Sequence, residues 1–148
     1  MSLRHKKSIF SLMVFFVILI ITPIKRTFAE DSVVVIANSF SNTKKLTNTE
    51  IDDIFTFRSK KWSNGIPIKV FLLPKESTKT QEFTLRYLNM TPKRYFEILD
   101  AKGISEKNVE VVDYEYSMMI KVLTTPGGIG YVSDTFLTNF NGDVNIFR

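Results

Sequence analysis

An α/β domain, with a mostly parallel sheet flanked by helices, is the fold class the sequence predicts, and three observations carry it. Val33 to Ile36 are four β-branched residues in succession, a continuous apolar run of strand length that reads as a strand buried on both faces. Two helix-start signals, Thr47-Asn48-Thr49-Glu50 and Thr91-Pro92, lie further along the chain. Apolar runs of strand length then alternate with segments of helical spacing, which is the pattern of a sheet covered by helices.

The elements follow in order. A first strand is expected from Ser32 to Ala37. The Thr-x-x-Glu of residues 47–50 has the form of a capping box, and Ile51, Ile54 and Phe55 follow at helical spacing, so a short helix is expected from Asn48 to Phe55. After the turn signature of Asn64-Gly65, Ile68 to Leu73 is the next strand, stopped by Pro74. Ser77 opens a second helix with Phe83, Tyr87 and Leu88 on one side. Pro92 suits the first position of a third helix, where its missing N–H costs nothing, and Gly103 suits its stop; Tyr95, Phe96 and Leu99 would be its buried side. Tyr116, Met119, Ile120 and Leu123 fall at i, i+3, i+4 and i+7, the apolar stripe of a fourth helix ending near Thr124. Pro126-Gly127-Gly128 turns the chain into a strand from Ile129 to Ser133, and Asn141-Gly142 precedes a last strand from Val144 to Phe147.

Ahead of this domain, residues 1–29 have the layout of a secretory signal. Arg4, His5, Lys6 and Lys7 precede an apolar run from Ile9 to Ile21 in which Ser11 is the one polar residue. A membrane-crossing helix needs about 20 apolar residues, and this run breaks at Thr22-Pro23 and meets Lys25-Arg26. Thr27-Phe28-Ala29 places small residues where a signal peptidase inspects them, so cleavage is expected after Ala29 and residues 30–148 form one exported, periplasmic domain. An uncleaved anchor is the alternative.

Removal of that segment changes the charge. The whole chain carries 20 Lys and Arg against 15 Asp and Glu, a net charge of +5. Arg4, Lys6, Lys7, Lys25 and Arg26 all belong to the signal, so the remaining domain is neutral and lacks the cationic surplus that displaces phosphate counterions; nucleic acid is not an expected partner. Cysteine is absent, and the single histidine, His5, leaves with the signal. Thiol and imidazole nucleophile relays and ordinary zinc sites are therefore excluded, which leaves catalysis only to carboxylates or lysines, and neither a metal nor a cofactor is expected.

Of the polar clusters, Pro74-Lys75-Glu76-Ser77-Thr78-Lys79-Thr80 lies between a strand and a helix, where the first backbone N–H groups of the helix point outward. Hydroxyls and the ammonium groups of Lys75 and Lys79 could join them to hold an oxyanion, although a plain N-cap is the favoured reading of Ser77. Ser39, Ser41 and Asn42 follow the first strand, at the carboxyl end where open α/β sheets bind ligands; an ordinary connecting loop has the same composition. Gly127-Gly128-Ile129-Gly130 follows a helix and enters a strand, the reverse of a phosphate-cradling loop, so it reads as a tight turn with Gly130 admitting a close neighbour. Trp62 reads as packed on the domain, Asp52-Asp53 as compensation of a helix dipole, and Lys44-Lys45 and Lys60-Lys61 as solvated surface.

Taken in order, Leu46-Thr47, Glu50-Ile51, Ile54-Phe55, Lys61-Trp62, Asn64-Gly65, Ser77 with Phe83, and Thr125-Pro126-Gly127-Gly128-Ile129-Gly130-Tyr131-Val132 resemble the phosphate-binding substrate-binding proteins of ABC transporters. The likeness is strongest to short, single-lobe relatives with the periplasmic-binding-protein-like fold, type II. The resemblance implies an extracytoplasmic solute-binding protein for phosphate or a similar oxyanion, with a membrane transporter or sensor protein as partner and no enzymatic activity. In full-length members a Ser-Gly-Thr at a helix start grips phosphate, with an arginine four residues earlier. Ser77 matches the serine, whereas Thr78, Lys79 and Leu73 stand for the glycine, the threonine and the arginine. Ser77, Thr78 and Lys79 are the implied contacts, with Ser39 and Asn42 as secondary ones. A chain of this length forms one lobe and half a cleft, so a homodimer or another protein would supply the missing wall. The alternative is an interaction or sensory module that keeps the lobe without tight ligand binding.

Overall fold

The computed structural model describes residues 31–104 and 107–148. The segment expected to be the signal, residues 1–29, lies outside them. Among the described residues no helix is long and apolar enough to cross a membrane.

Five strands form one sheet in the order β3-β2-β4-β1-β5: β1 (Val33–Asn38), β2 (Lys69–Leu72), β3 (Val109–Val111), β4 (Gly128–Ser133) and β5 (Val144–Phe147). Among the described residues, five α-helices accompany it: α1 (Asn48–Phe55), α2 (Thr78–Leu88), α3 (Pro92–Ala101), α4 (Glu115–Thr124) and α5 (Asp134–Thr138). The sheet is mostly parallel, as expected, because β2 runs parallel to both β3 and β4. β1 is the exception and corrects the expectation that its apolar run belongs to a parallel strand. It is buried along its whole length but antiparallel to both neighbours, with Val33 opposite Ser133 and Val35 opposite Phe147. Burial on both faces follows from the apolar run; direction depends on which strand lies alongside, and the run carries no record of that.

Local chemistry accounts for the helix starts. Thr47 Oγ1 accepts from Glu50 N at 3.2 Å while the Glu50 carboxylate accepts from Thr47 N at 2.8 Å, completing the capping box of α1. Thr91 Oγ1 accepts from Arg94 N, and Pro92 opens α3. Past the end of α3, Gly103 has φ +60°, the left-handed conformation that favours glycine. β3 and α5 are not anticipated by the sequence reading: one is a three-residue edge strand and the other a five-residue helix, both too short to show a period.

Successive strand residues point to opposite faces, so β4 reports both sides of the sheet. A Cβ on Gly130 would meet Met118 Sδ of α4 at 2.2 Å, whereas the next residue, Tyr131, stacks its ring on Phe83 of α2 at 4.2 Å between centroids. Helix α4 thus covers one face, and α2 covers the other with α1 and α3 beside it. Tyr95 Oη of α3 donates to the Phe55 carbonyl of α1 at 2.9 Å, tying that layer together.

The stripe expected for α4 needs correcting. Met118, Met119 and Val122 are its buried residues, while Tyr116 is 63% exposed and Ile120 39% exposed. Only Met119 of the expected set is fully buried; Leu123 is partly so. Gly130 leaves room for the flexible Met118 side chain and Gly128 for the backbone at Val122, so this side of α4 packs on β4 and the Tyr116 side is left out. On α3, Tyr95 and Leu99 are buried as expected, and Phe96 is half-buried with its ring edge-on to Tyr95.

Candidate functional site

The chain leaves the carboxyl end of β2 through Leu73 and Pro74 and turns into α2. Ser77 N donates to the Pro74 carbonyl at 2.9 Å, and Ser77 Oγ accepts from Lys79 N at 3.2 Å, so the serine is the N-cap of this helix. Thr80 lies beneath. Leu73 N donates to Tyr131 Oη at 3.1 Å, the Tyr131 and Thr80 hydroxyls are 2.7 Å apart, and Thr80 Oγ1 is 2.9 Å from the Pro74 carbonyl. One proton per hydroxyl orders the chain: Leu73 N–H to Tyr131, Tyr131 O–H to Thr80, Thr80 O–H to Pro74. Burial pushes the Tyr131 phenol up to about 12 despite its hydrogen bonds with Thr80 and Leu73. This buried relay fixes the backbone that presents Ser77.

Because β2, β3 and β4 are parallel, their carboxyl ends lie side by side and each leads towards a helix start: α2 after β2, α4 after β3, α5 after β4. Between them is an open depression of about 410 Å³ lined by Leu73, Ser77, Lys79, Asp113, Tyr114, Glu115, Tyr116 and Phe136. Helix N-termini favour anions, and here the chain's own carboxylates already use that potential. Asp31 Oδ1 accepts from Thr135 N at 3.0 Å and its Oδ2 is 2.8 Å from Lys79 Nζ; Glu115 accepts from Ser133 N. The Lys79 ammonium first, and Thr135 second, hold the Asp31 carboxyl well below the usual carboxylate range.

Of the sequence-predicted site residues, Ser77, Thr78 and Lys79 sit together on the first turn of α2, and Ser77 and Lys79 line the depression; Thr78 is exposed beside them. Ser39 and Asn42 are not brought to them. They belong to a short 3-10 turn closed by Asn42 N to the Ser39 carbonyl at 3.1 Å, anchored where Asn38 Nδ2 donates to the Val122 and Leu123 carbonyls near the end of α4. The reversal of β1 is the reason. Its carboxyl end pairs with the entry of β4, Ala37 opposite Ile129, so the turn lies at the opposite edge of the sheet from Ser77.

Other polar readings resolve locally. Asp52 and Asp53 ion-pair with Arg58 rather than serving the helix start. Lys44, Lys45, Lys60 and Lys61 are exposed. Trp62 is buried and donates from Nε1 to the Gly127 carbonyl at 3.0 Å. Gly127, at φ +79°, has no room for a side chain, since a Cβ would lie 2.2 Å from the Pro67 carbonyl oxygen. Sequence reasoning missed Asp113, Tyr114, Glu115 and Phe136 at the depression, and Asp31, which pairs with Lys79 of its lining. The alternation of acids and aromatics in Asp113-Tyr114-Glu115-Tyr116 was a visible signal, but without β3 it had no strand end to belong to.

A family model described as the PBP superfamily domain matches residues 21–142, most of the chain. The chain belongs to the PBP superfamily. No curated protein matches it in sequence. Among solved structures, this PBP domain superposes on PstS from Borrelia burgdorferi with a TM-score of 0.61 at 16% identity, covering 80% of this chain and 47% of that one. A phosphate ABC transporter substrate-binding protein from Clostridium perfringens with bound phosphate gives 0.52 at 19% identity, covering 80% and 44%. A possible phosphate binding protein from Planctomyces limnophilus gives 0.56 at 19% identity, covering 80% and 41%. At these identities the likeness is one of fold. The PBP domain spans less than half the length of the structures it matches, as expected for a short, single-lobe relative of such proteins.

Proposed function

We propose that this PBP domain is an exported solute-binding lobe that recognises phosphate or a similar oxyanion at the open mouth formed by the starts of α2, α4 and α5. The supporting observation is the placement of Ser77 and Lys79 on a helix start that faces this mouth, over a backbone held rigid by Tyr131 and Thr80. Ser77, Thr78 and Lys79 are the proposed contacts. Leu73 supplies no bidentate fork where the family resemblance implies an arginine, and the mouth is open, so the affinity is modest and millimolar in scale. The test is calorimetric titration of the purified protein with inorganic phosphate. Heat that saturates at millimolar ligand and is weakened about fivefold or more in Lys79→Met supports the reading; no heat at that concentration removes it.

A second reading is favoured by the rim. Tyr114 is 72% exposed and Tyr116 63% exposed, beside Asp113 and Glu115, in a chain of half the usual length. Exposed tyrosines at a mouth are common anchors in protein recognition, so the lobe would dock onto a membrane transporter or sensor without carrying a solute. Cross-linking in cells separates the two: a partner captured through Tyr114 or Tyr116, with no response to phosphate, supports docking, and a free monomer opposes it.

A further inference from the structure

We propose that Asp31 is an internal occupant of the anion corner, and that an external oxyanion binds by displacing its carboxylate from Lys79. The inference rests on the oxyanion reading of this mouth and adds the regulation of that site.

The geometry is that of a bound anion. Asp31 Oδ2 is 2.8 Å from Lys79 Nζ, the same ammonium is 3.4 Å from the Asp31 carbonyl oxygen, and Oδ1 accepts from Thr135 N at 3.0 Å. One carboxylate thus engages the cation of α2, the group that an incoming oxyanion would use, while a backbone donor at the start of α5 holds its other oxygen. The carboxylate is poised to leave. The pair is only partly buried, with Lys79 22% and Asp31 36% exposed, and pairs this exposed hold their partners by a factor of about two to five. Asp31 precedes the first strand. Two residues along, Val33 N donates to the Glu82 carboxylate at 2.8 Å, which fixes the start of β1 independently of Asp31. The side chain can therefore release Lys79 without disturbing the sheet.

The test titrates inorganic phosphate, at constant ionic strength, into the purified protein and its Asp31→Asn, Lys79→Met and doubly substituted variants. Asparagine is isosteric with aspartate, and its side-chain oxygen still accepts from Thr135 N, so Asp31→Asn removes the charge and little else. The expected result is tighter binding by Asp31→Asn, about two- to fivefold, and no such gain when Lys79 is absent. If the wild-type protein binds but Asp31→Asn binds equally or more weakly, the inference fails while the oxyanion reading stands. A gain that persists in the double variant also overturns it, because the charge then acts without freeing Lys79. No heat from any variant overturns both. Should Asp31→Asn fail to fold, Asp31→Ser removes the same carboxylate and is read in the same way.

Discussion

Tyr131 shows how one residue can hold a site it does not line. Its hydroxyl is the acceptor for Leu73 N and the donor to Thr80, so Tyr131→Phe leaves a buried N–H without its partner and should cost about 1–3 kcal/mol, read as a lower urea midpoint at unchanged slope. The raised phenol carries a pH signature. A group whose folded value lies above its unfolded value, here about 12 against 10.0, stabilises fully below the unfolded value and loses that contribution as pH rises through the interval; Tyr131→Phe should show a smaller loss of stability there. Asp31 has the opposite sign. Its folded value is lowered, so its contribution is present above about pH 4 and lost as pH falls below that. The melting-temperature gap between wild type and Asp31→Asn should therefore close on acidification. Gly127 is a third point of control: Gly127→Ala places a methyl against the Pro67 carbonyl at a positive φ and should destabilise by about 2–4 kcal/mol in the same urea measurement.

Among the elements, α4 offers the sharpest contrast. Its helical spacing permits two apolar stripes, one through Tyr116 and Ile120 and one through Met118 and Val122, and the tertiary structure selects the second. Met118→Ala should cost about 2–4 kcal/mol, whereas Tyr116→Ser and Ile120→Ser should each stay within about 0.5 kcal/mol, as compared by thermal melts. The reverse ranking would mean that α4 packs in the register its Tyr116 stripe describes. Helix α1 depends on shorter-range chemistry. Its capping box, its length and its buried Ile51, Ile54 and Phe55 were all legible from residues 47–55, because the cap is made between residues three apart and the apolar residues repeat at the spacing of one helix face.

At the scale of the whole molecule, the reversal of β1 divides the polar loops between two edges of the sheet. Ser77 and Lys79 lie at the exit of β2 and β4, and Ser39 and Asn42 lie at their entry. Ser77→Ala and Lys79→Met should each weaken phosphate binding about fivefold or more, while Ser39→Ala and Asn42→Ala should leave the calorimetric titration unchanged. Loss of binding in the second pair would place the ligand at the opposite edge. The same topology explains why the site was only half legible. Ser77, Thr78 and Lys79 are neighbours in sequence, so a strand end followed by a cap announces them. Glu115 and Phe136 reach the mouth, and Asp31 reaches Lys79, from three separate segments that only the tertiary fold brings together.

By itself the sequence determined the α/β class, the starts of α1, α2 and α3, the burial of β1 on both faces, and the turn at Gly127, because caps, apolar runs and left-handed positions are set by residues within a turn or two of one another. Only the tertiary structure decided that β1 runs antiparallel to its neighbours, which face of α4 is buried, and that the chain's own carboxylates occupy the donors around Ser77. Those outcomes depend on hydrogen-bonded pairing and close packing between segments far apart in the chain, where a local pattern of apolar and polar residues is compatible with more than one arrangement.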